Sequence, residues 1–401
     1  SSRPSSIAIS PKAGLDELIS VALARHTSLQ STRYRISALE QSAIQAGSLP
    51  DPSASIGAGQ LAETAAGQVQ ATLGAQQKIP FPGKLRAQKT VELKKADAMR
   101  AQLRADELAL AEQVRVAYWN LFSARRTTAV LDESRQTLVT LRESVQARVA
   151  ANRAKRQDLL RLENEITRLD QRLATAAGRE KAAVASLNSL LYRPGSAPLP
   201  SPKASAVEAY PPATTLVNKA RTQHPEVASA EARIEAARSG VELANLKKRP
   251  DFTAGVSYLP VSNDGLAPSS DGTDQVMGTV GVTSPLWRKK NRAAEKEADA
   301  LLAAETSNLA TVRSSLQQRI GTAHATYDAE VNTLDLYSGK LIPDSQQSYD
   351  LLVTGYKTET SSFLDVIDAW RQLLSYRIEF EENRGRLGKA DAALRRSAGL
   401  P

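Results

Sequence analysis

The residues of this 401-residue chain best placed to act on an ion are two aspartates near its end, Asp365 and Asp368. Three residues apart on a helix, their carboxylates face the same way. Taken alone, they read as an exposed acidic pair near a helix N-terminus, where acids are favoured anyway. Little else could do chemistry. There is no cysteine, so disulfides and thiolate metal sites are excluded. Three histidines, His26, His224 and His324, and two methionines leave little for a transition-metal site. His26 and His224 stand at matching places about 200 residues apart, as structural echoes, and His324 lies one residue past an apolar seam position. No Ser/His/Asp arrangement, phosphate loop or metal-ligand spacing is present. The sequence reads as no enzyme and calls for no cofactor.

The elements that must carry the aspartates are long helices. Lys84 to Ala177 contains neither glycine nor proline and would span roughly 140 Å as one helix. Leu110, Val114, Ala117 and Leu121 keep coiled-coil spacing, as do Leu162, Ile166, Leu169 and Leu173. The apolar rhythm lapses from Ala151 to Arg156, where Asn152 tolerates a left-handed turn. This predicts a helical hairpin over 84–191, which cannot bury its seam alone.

The rest falls into two rounds of one programme. An N-terminal arm, 1–13, is Ser/Pro-rich. The first repeat, 14–192, opens with a helix from about Leu15 to Ala46. Strands follow at about 53–61 and 67–79, where Ala54, Ile56 and Ala58, then Val69, Ala71, Leu73 and Ala75, alternate with polar or small residues. After a linker, 193–213, the second repeat, 214–401, has a helix from about Thr214 to Lys248. Its strands lie at about 252–260 and 275–284, with Phe252, Ala254, Val256 and Tyr258 and then Val276, Gly278, Val280 and Val282 in alternation. Its helical hairpin covers about 288–396, with Pro343 predicted to bend the first arm.

The charge of +9 is spread over helices where bases alternate with acids, which reads as solvated faces and not as a nucleic-acid track. No apolar run approaches the roughly 20 residues of a membrane-spanning helix, which excludes an inner-membrane transporter. The strands, however, have the length that crosses a bilayer when tilted. Four strands cannot close a barrel, and in lipid an open sheet is not viable. Three chains giving twelve strands would close one. A soluble or peripheral coiled-coil scaffold is the alternative, but it has no need of alternating strands at matching repeat positions.

This layout resembles the TolC-type outer-membrane efflux channels over nearly the whole chain. The resemblance is carried by Leu187 to Leu191 (LNSLL), by His224-Pro225-Glu226, and by Arg249-Pro250-Asp251-Phe252 leading into a strand. Most specific is Tyr356 to Ala369 (YKTETSSFLDVIDA), matched in the first repeat by Asn152 to Leu160 (NRAKRQDLL). The turn Pro80-Phe81-Pro82-Gly83-Lys84 and the short loops look most like the heavy-metal cation (cobalt-zinc-cadmium type) branch.

The resemblance implies a mainly α fold with a small β part, as a homotrimer whose 12-stranded outer-membrane β-barrel continues into an α-helical periplasmic barrel. The linker would lie in the equatorial region. It implies a passive duct working with a periplasmic adaptor (membrane fusion) protein and a proton-driven, RND-type inner-membrane pump. Asp365 and Asp368 would line the periplasmic mouth as stacked carboxylate rings that bind cations. Tyr356 and Asp158 would tie neighbouring hairpins together when closed. Asn152, Arg153, Lys155, Glu359, Ser361 and Ser362 would surround the tips that meet the adaptor. Many relatives carry a lipidated N-terminal cysteine, so either this member is unlipidated or the anchor precedes Ser1. The family has glycine at both hairpin turns; here Asn152 and Glu359 stand there, and glutamate takes the left-handed conformation less readily.

Overall fold

A computed structural model describes residues 13–58, 63–204, 207–263, 265, 266, 269 and 271–400. The N-terminal arm, but for Ala13, and positions 59–61 of the first strand lie outside the described residues. The chain is mainly helical, with a small sheet. Its elements are α1 (Leu15–Arg25), α2 (Thr27–Gly47), β1 (Ser53–Ala58), β2 (Glu63–Thr64), β3 (Gly67–Gln68), β4 (Ala71–Ile79), α3 (Lys84–Ala150) and α4 (Arg156–Leu190). The same programme then repeats as α5 (Ala213–Gln223), α6 (Pro225–Leu246), β5 (Asp251–Leu259), β6 (Gln275–Thr283), α7 (Arg288–Leu336), α8 (Ile342–Lys357) and α9 (Phe363–Ala398).

Each repeat's opening helix is broken where one continuous helix is predicted, at His26 and at His224, both extended. Pro225 explains the second break, because a residue before proline avoids the helical region. His26 has no such neighbour; its ring meets Tyr192 edge-on at 5.3 Å and its Nδ1 bonds Ser28 Oγ at 2.6 Å. Where a bend at Pro343 is predicted, the helix carries a π-helical turn, Tyr337–Leu341, between α7 and α8. A widened turn absorbs the amide that proline cannot donate.

The chain divides into two compact units, one of residues 1–31, 104–224 and 313–401, the other of 32–103 and 225–312. In the first, the two helical hairpins share one apolar core that includes Leu138, Val145, Leu162, Ile166, Tyr356, Phe363, Val366 and Trp370. The second holds a four-stranded antiparallel sheet in the order β1-β4-β5-β6. Its register sets Ile56 opposite Leu73, Leu73 opposite Tyr258, and Tyr258 opposite Val276. Because side chains alternate along a strand, one face collects these with Ala75, Ile79, Phe252, Val256, Val280 and Val282. The other face collects Ser55, Thr72, Gln76, Thr253, Ser257 and Thr279. The apolar face is the exposed one: Ile56 is 80% and Val280 83% accessible, and along β5 the apolar positions are more open than the polar ones between them. A sheet in water does the reverse.

Candidate functional site

The two hairpin turns are built alike. Asn152 (φ 58°) follows α3, and the Arg153 and Asn152 amides donate to the Arg148 and Val149 carbonyls at 2.8 and 3.0 Å. Glu359 (φ 63°) follows α8, and the Thr360 and Glu359 amides donate to the Gly355 and Tyr356 carbonyls at 2.8 and 3.3 Å. These are Schellman caps, which close the last carbonyls of a helix by a left-handed residue. Glu359 therefore makes the same turn as Asn152 despite its side chain.

The return helices start differently. Ser362 caps α9 with a reciprocal box: its Oγ accepts the Asp365 amide at 3.2 Å, and its own hydroxyl and amide donate to Asp365 Oδ2 at 2.7 and 3.3 Å. Asp158 stands at the equivalent place in α4, but the N-cap there is Lys155, whose side chain caps nothing. The tip residues Asn152, Arg153, Lys155, Glu359 and Ser362 are exposed, and Ser361 is half-buried. The first turn is basic; the second carries Glu359 and, one helical turn on, the aspartates.

Asp365 and Asp368 are both exposed, yet each already has a partner within the chain. Asp365 serves the cap. Asp368 accepts from Arg371 at 3.0 Å, and Arg371 also reaches Glu165 on α4. Glu165 is buried and has a second cation, Arg168, at 3.0 Å. Tyr356 is buried against Phe363, 5.5 Å between ring centres, and among the described residues its hydroxyl has no hydrogen-bond partner. Burial pushes that phenol's pKa up, with the Asp158 charge adding to the effect and Arg148 opposing it. Tyr356 and Asp158 thus feel each other across the tip without bonding.

Arg148 was not singled out by sequence, although it ties the turns together. It donates to the Lys357 carbonyl at 3.0 Å, reaches Glu359 at 3.5 Å, and lies 5.2 Å from the Tyr356 ring centre. A basic residue in a last helical turn looks like ordinary dipole compensation, so nothing local marks it. Asp365's cap did leave a signal, Ser362 three residues before an acid. The histidines all have structural work: His224 Nε2 bonds the Arg396 carbonyl at 3.1 Å, and His324 bonds the Pro211 carbonyl and Asp328 at 3.0 and 2.9 Å. Among the described residues no three His, Cys, Asp or Glu converge as a metal site.

The sequence matches the outer membrane efflux protein family over residues 18–191 and 216–400. No curated protein matches it closely enough to count as a relative. The outer membrane protein VceC of Vibrio cholerae is similar in structure, at 19% identity, TM-score 0.80 and 96% coverage of both chains. The outer membrane channel MtrE of Neisseria gonorrhoeae, solved in its open state, matches at 22% identity and TM-score 0.78, covering 96% of this chain and 89% of that one. CusC, solved in a study of its folding and transmembrane channel formation, matches at 17% identity and TM-score 0.80, covering 96% and 92%. At such identities the likeness carries the fold; the family match carries the class. The chain belongs to the outer membrane efflux protein family: a transport duct of the outer membrane that extends into the periplasm, and not an enzyme.

Proposed function

We propose that three copies of this chain close a twelve-stranded barrel in the outer membrane, continued by a tube of helices to a periplasmic entrance at the hairpin tips. The observation that carries this is the inverted sheet, whose apolar face is open and whose edge strands β1 and β6 are free to pair with other copies. In this reading the repeats are 14–192 and 214–401, joined by 193–213 at the equator. An RND-type inner-membrane pump supplies the energy and a periplasmic adaptor meets the tips around Asn152, Arg153, Lys155, Glu359, Ser361 and Ser362. The cargo is a heavy-metal cation, a substrate that passes through and is not held. The turn at Pro80 to Lys84 and the short loops support that choice of branch.

The entrance is gated by Asp365, Asp368, Tyr356 and Asp158. Threefold repetition of the exposed aspartates makes rings that favour cations. Single-channel current from detergent-purified protein in a planar bilayer, with sedimentation for mass, tests the duct. The expected result is a trimer with small, cation-selective conductance that rises in Asp365→Asn with Asp368→Asn, the asparagine at 365 retaining an acceptor for the Ser362 cap. A non-inserting monomer would end the proposal. Unchanged conductance and cation block in the double variant would end the gate alone. Metal tolerance of cells carrying the chain with its pump tests the cargo.

A further inference from the structure

All four long strands enter or leave helices at one end of the sheet, marked by the pair Asp251 and Thr283. The charges there are handled in two ways. Lys84 is buried and donates to Asp251 and to the Arg249 carbonyl, both at 2.7 Å, and Lys78 reaches Asp251 at 3.5 Å. Lys248 pairs with Glu295, and Arg249 lies 5.8 Å from the Phe81 ring centre. Beyond β6 the pattern changes. Arg288, Lys289, Lys290 and Arg292 are all exposed, and among the described residues none of these side chains has an ion pair or hydrogen bond. The first turn of α7 holds no acid, and cations are disfavoured at that end of a helix, so the helix does not account for them. Leu286 and Trp287, just before them, are each 78% exposed. The segment continues the apolar face of β6, where Val280 and Val282 are 83% and 61% exposed.

We propose that this collar binds anionic phospholipid headgroups of the periplasmic leaflet, with Leu286 and Trp287 seated in the interface and the four cations on the phosphates. The inference rests on the sheet being the lipid-facing wall. Charge complementarity and continuity with that wall select the occupant. Indole side chains favour the boundary between hydrocarbon and headgroups. Each Lys or Arg beside an anionic surface strengthens attachment about fivefold.

Trp287 itself can report the contact, since Trp119 and Trp370 are only 5% and 4% exposed. The full chain is placed in phosphatidylcholine vesicles containing brominated phosphatidylglycerol or brominated phosphatidylcholine, and tryptophan quenching is followed, with Trp287→Phe as the control. Brominated phosphatidylglycerol should quench with at least about fivefold higher apparent affinity, a gap that narrows in high salt. The variant R288Q/K289Q/K290Q/R292Q should lose the preference and keep quenching by phosphatidylcholine. Equal quenching of the wild type by both lipids overturns the proposal. Quenching by neither, with the strands still protected from protease, overturns it and leaves the barrel standing; if protection is lost too, the membrane wall falls with it. Relief by sn-glycerol 3-phosphate would make this a free-phosphate site, and failure of the quadruple variant to assemble would make it an interface between copies. Either result overturns the headgroup assignment.

Discussion

Arg371 joins the two hairpins through a carboxylate that water hardly reaches, and its removal tests whether that joint holds them together. The Glu165 side chain is 8% exposed, and its other cation, Arg168, is 68% exposed. Stripping one partner from a buried pair costs about 3–5 kcal/mol. Arg371 is itself 44% exposed and Arg168 stays behind, so Arg371→Gln should cost about 1–2 kcal/mol. Glu165→Gln strands no buried charge, because Arg371 keeps Asp368 in solvent, and should cost about 0.5–1 kcal/mol. The double variant leaves neither charge behind. It should be no less stable than Arg371→Gln alone, the mark of two coupled residues. Asp368→Asn, which keeps the Arg371–Glu165 contact, should move stability by less than about 0.5 kcal/mol. Unfolding midpoints of the four variants in detergent, followed by tryptophan fluorescence, give the comparison. A double-variant loss equal to the sum of the single losses would mean that no such joint exists.

Gly388→Ala should be among the most damaging small changes, since a Cβ there would sit 2.1 Å from the buried Trp119 ring; a loss of about 3 kcal/mol or failure to assemble is expected by thermal unfolding. Glu359→Gly should stabilise the fold by about 1 kcal/mol, read as a raised unfolding midpoint, because it relieves a left-handed non-glycine residue and gives up an ion pair of 3.5 Å in which Glu359 is exposed. Tyr337, whose hydroxyl donates to Glu379, has its pKa pushed up to about 12 from 10.0 by that hydrogen bond, with burial adding to the shift. A raised folded-state pKa gives stability that is complete below pH 10 and lost as pH rises toward 12. Ultraviolet titration of tyrosinate should show this late phase disappear in Tyr337→Phe.

Periodicity made much of this fold readable: a two-residue alternation for the strands, coiled-coil spacing for the hairpins, and a second round of both. Asn152 was readable as a turn for the same reason, since the helical rhythm lapses there, whereas Glu359 was placed at a turn only by the resemblance of Tyr356 to Ala369 to the family's second hairpin. Residues whose role depends on distant partners were not. Glu165 is one of many glutamates on amphipathic helices, and only the packing of α4 against α9 buries it. Arg148 needs the second turn, distant in sequence, to supply the Lys357 carbonyl and the Glu359 carboxylate. The break at His26 has no proline or glycine to announce it; the contact with Tyr192 at the far end of the repeat accompanies it. Duplication also misleads where the two copies have diverged. Asp158 and Asp365 hold the same helical position, but the cap before one is lysine and before the other serine. A serine cap of this kind is worth about 1 kcal/mol. The second return helix therefore begins from a fixed first turn with its acid committed, while the first begins uncapped with its acid free of the cap and felt by Tyr356. Two copies of one hairpin thus present one return helix with a side-chain cap and one without, and the one without carries the basic turn.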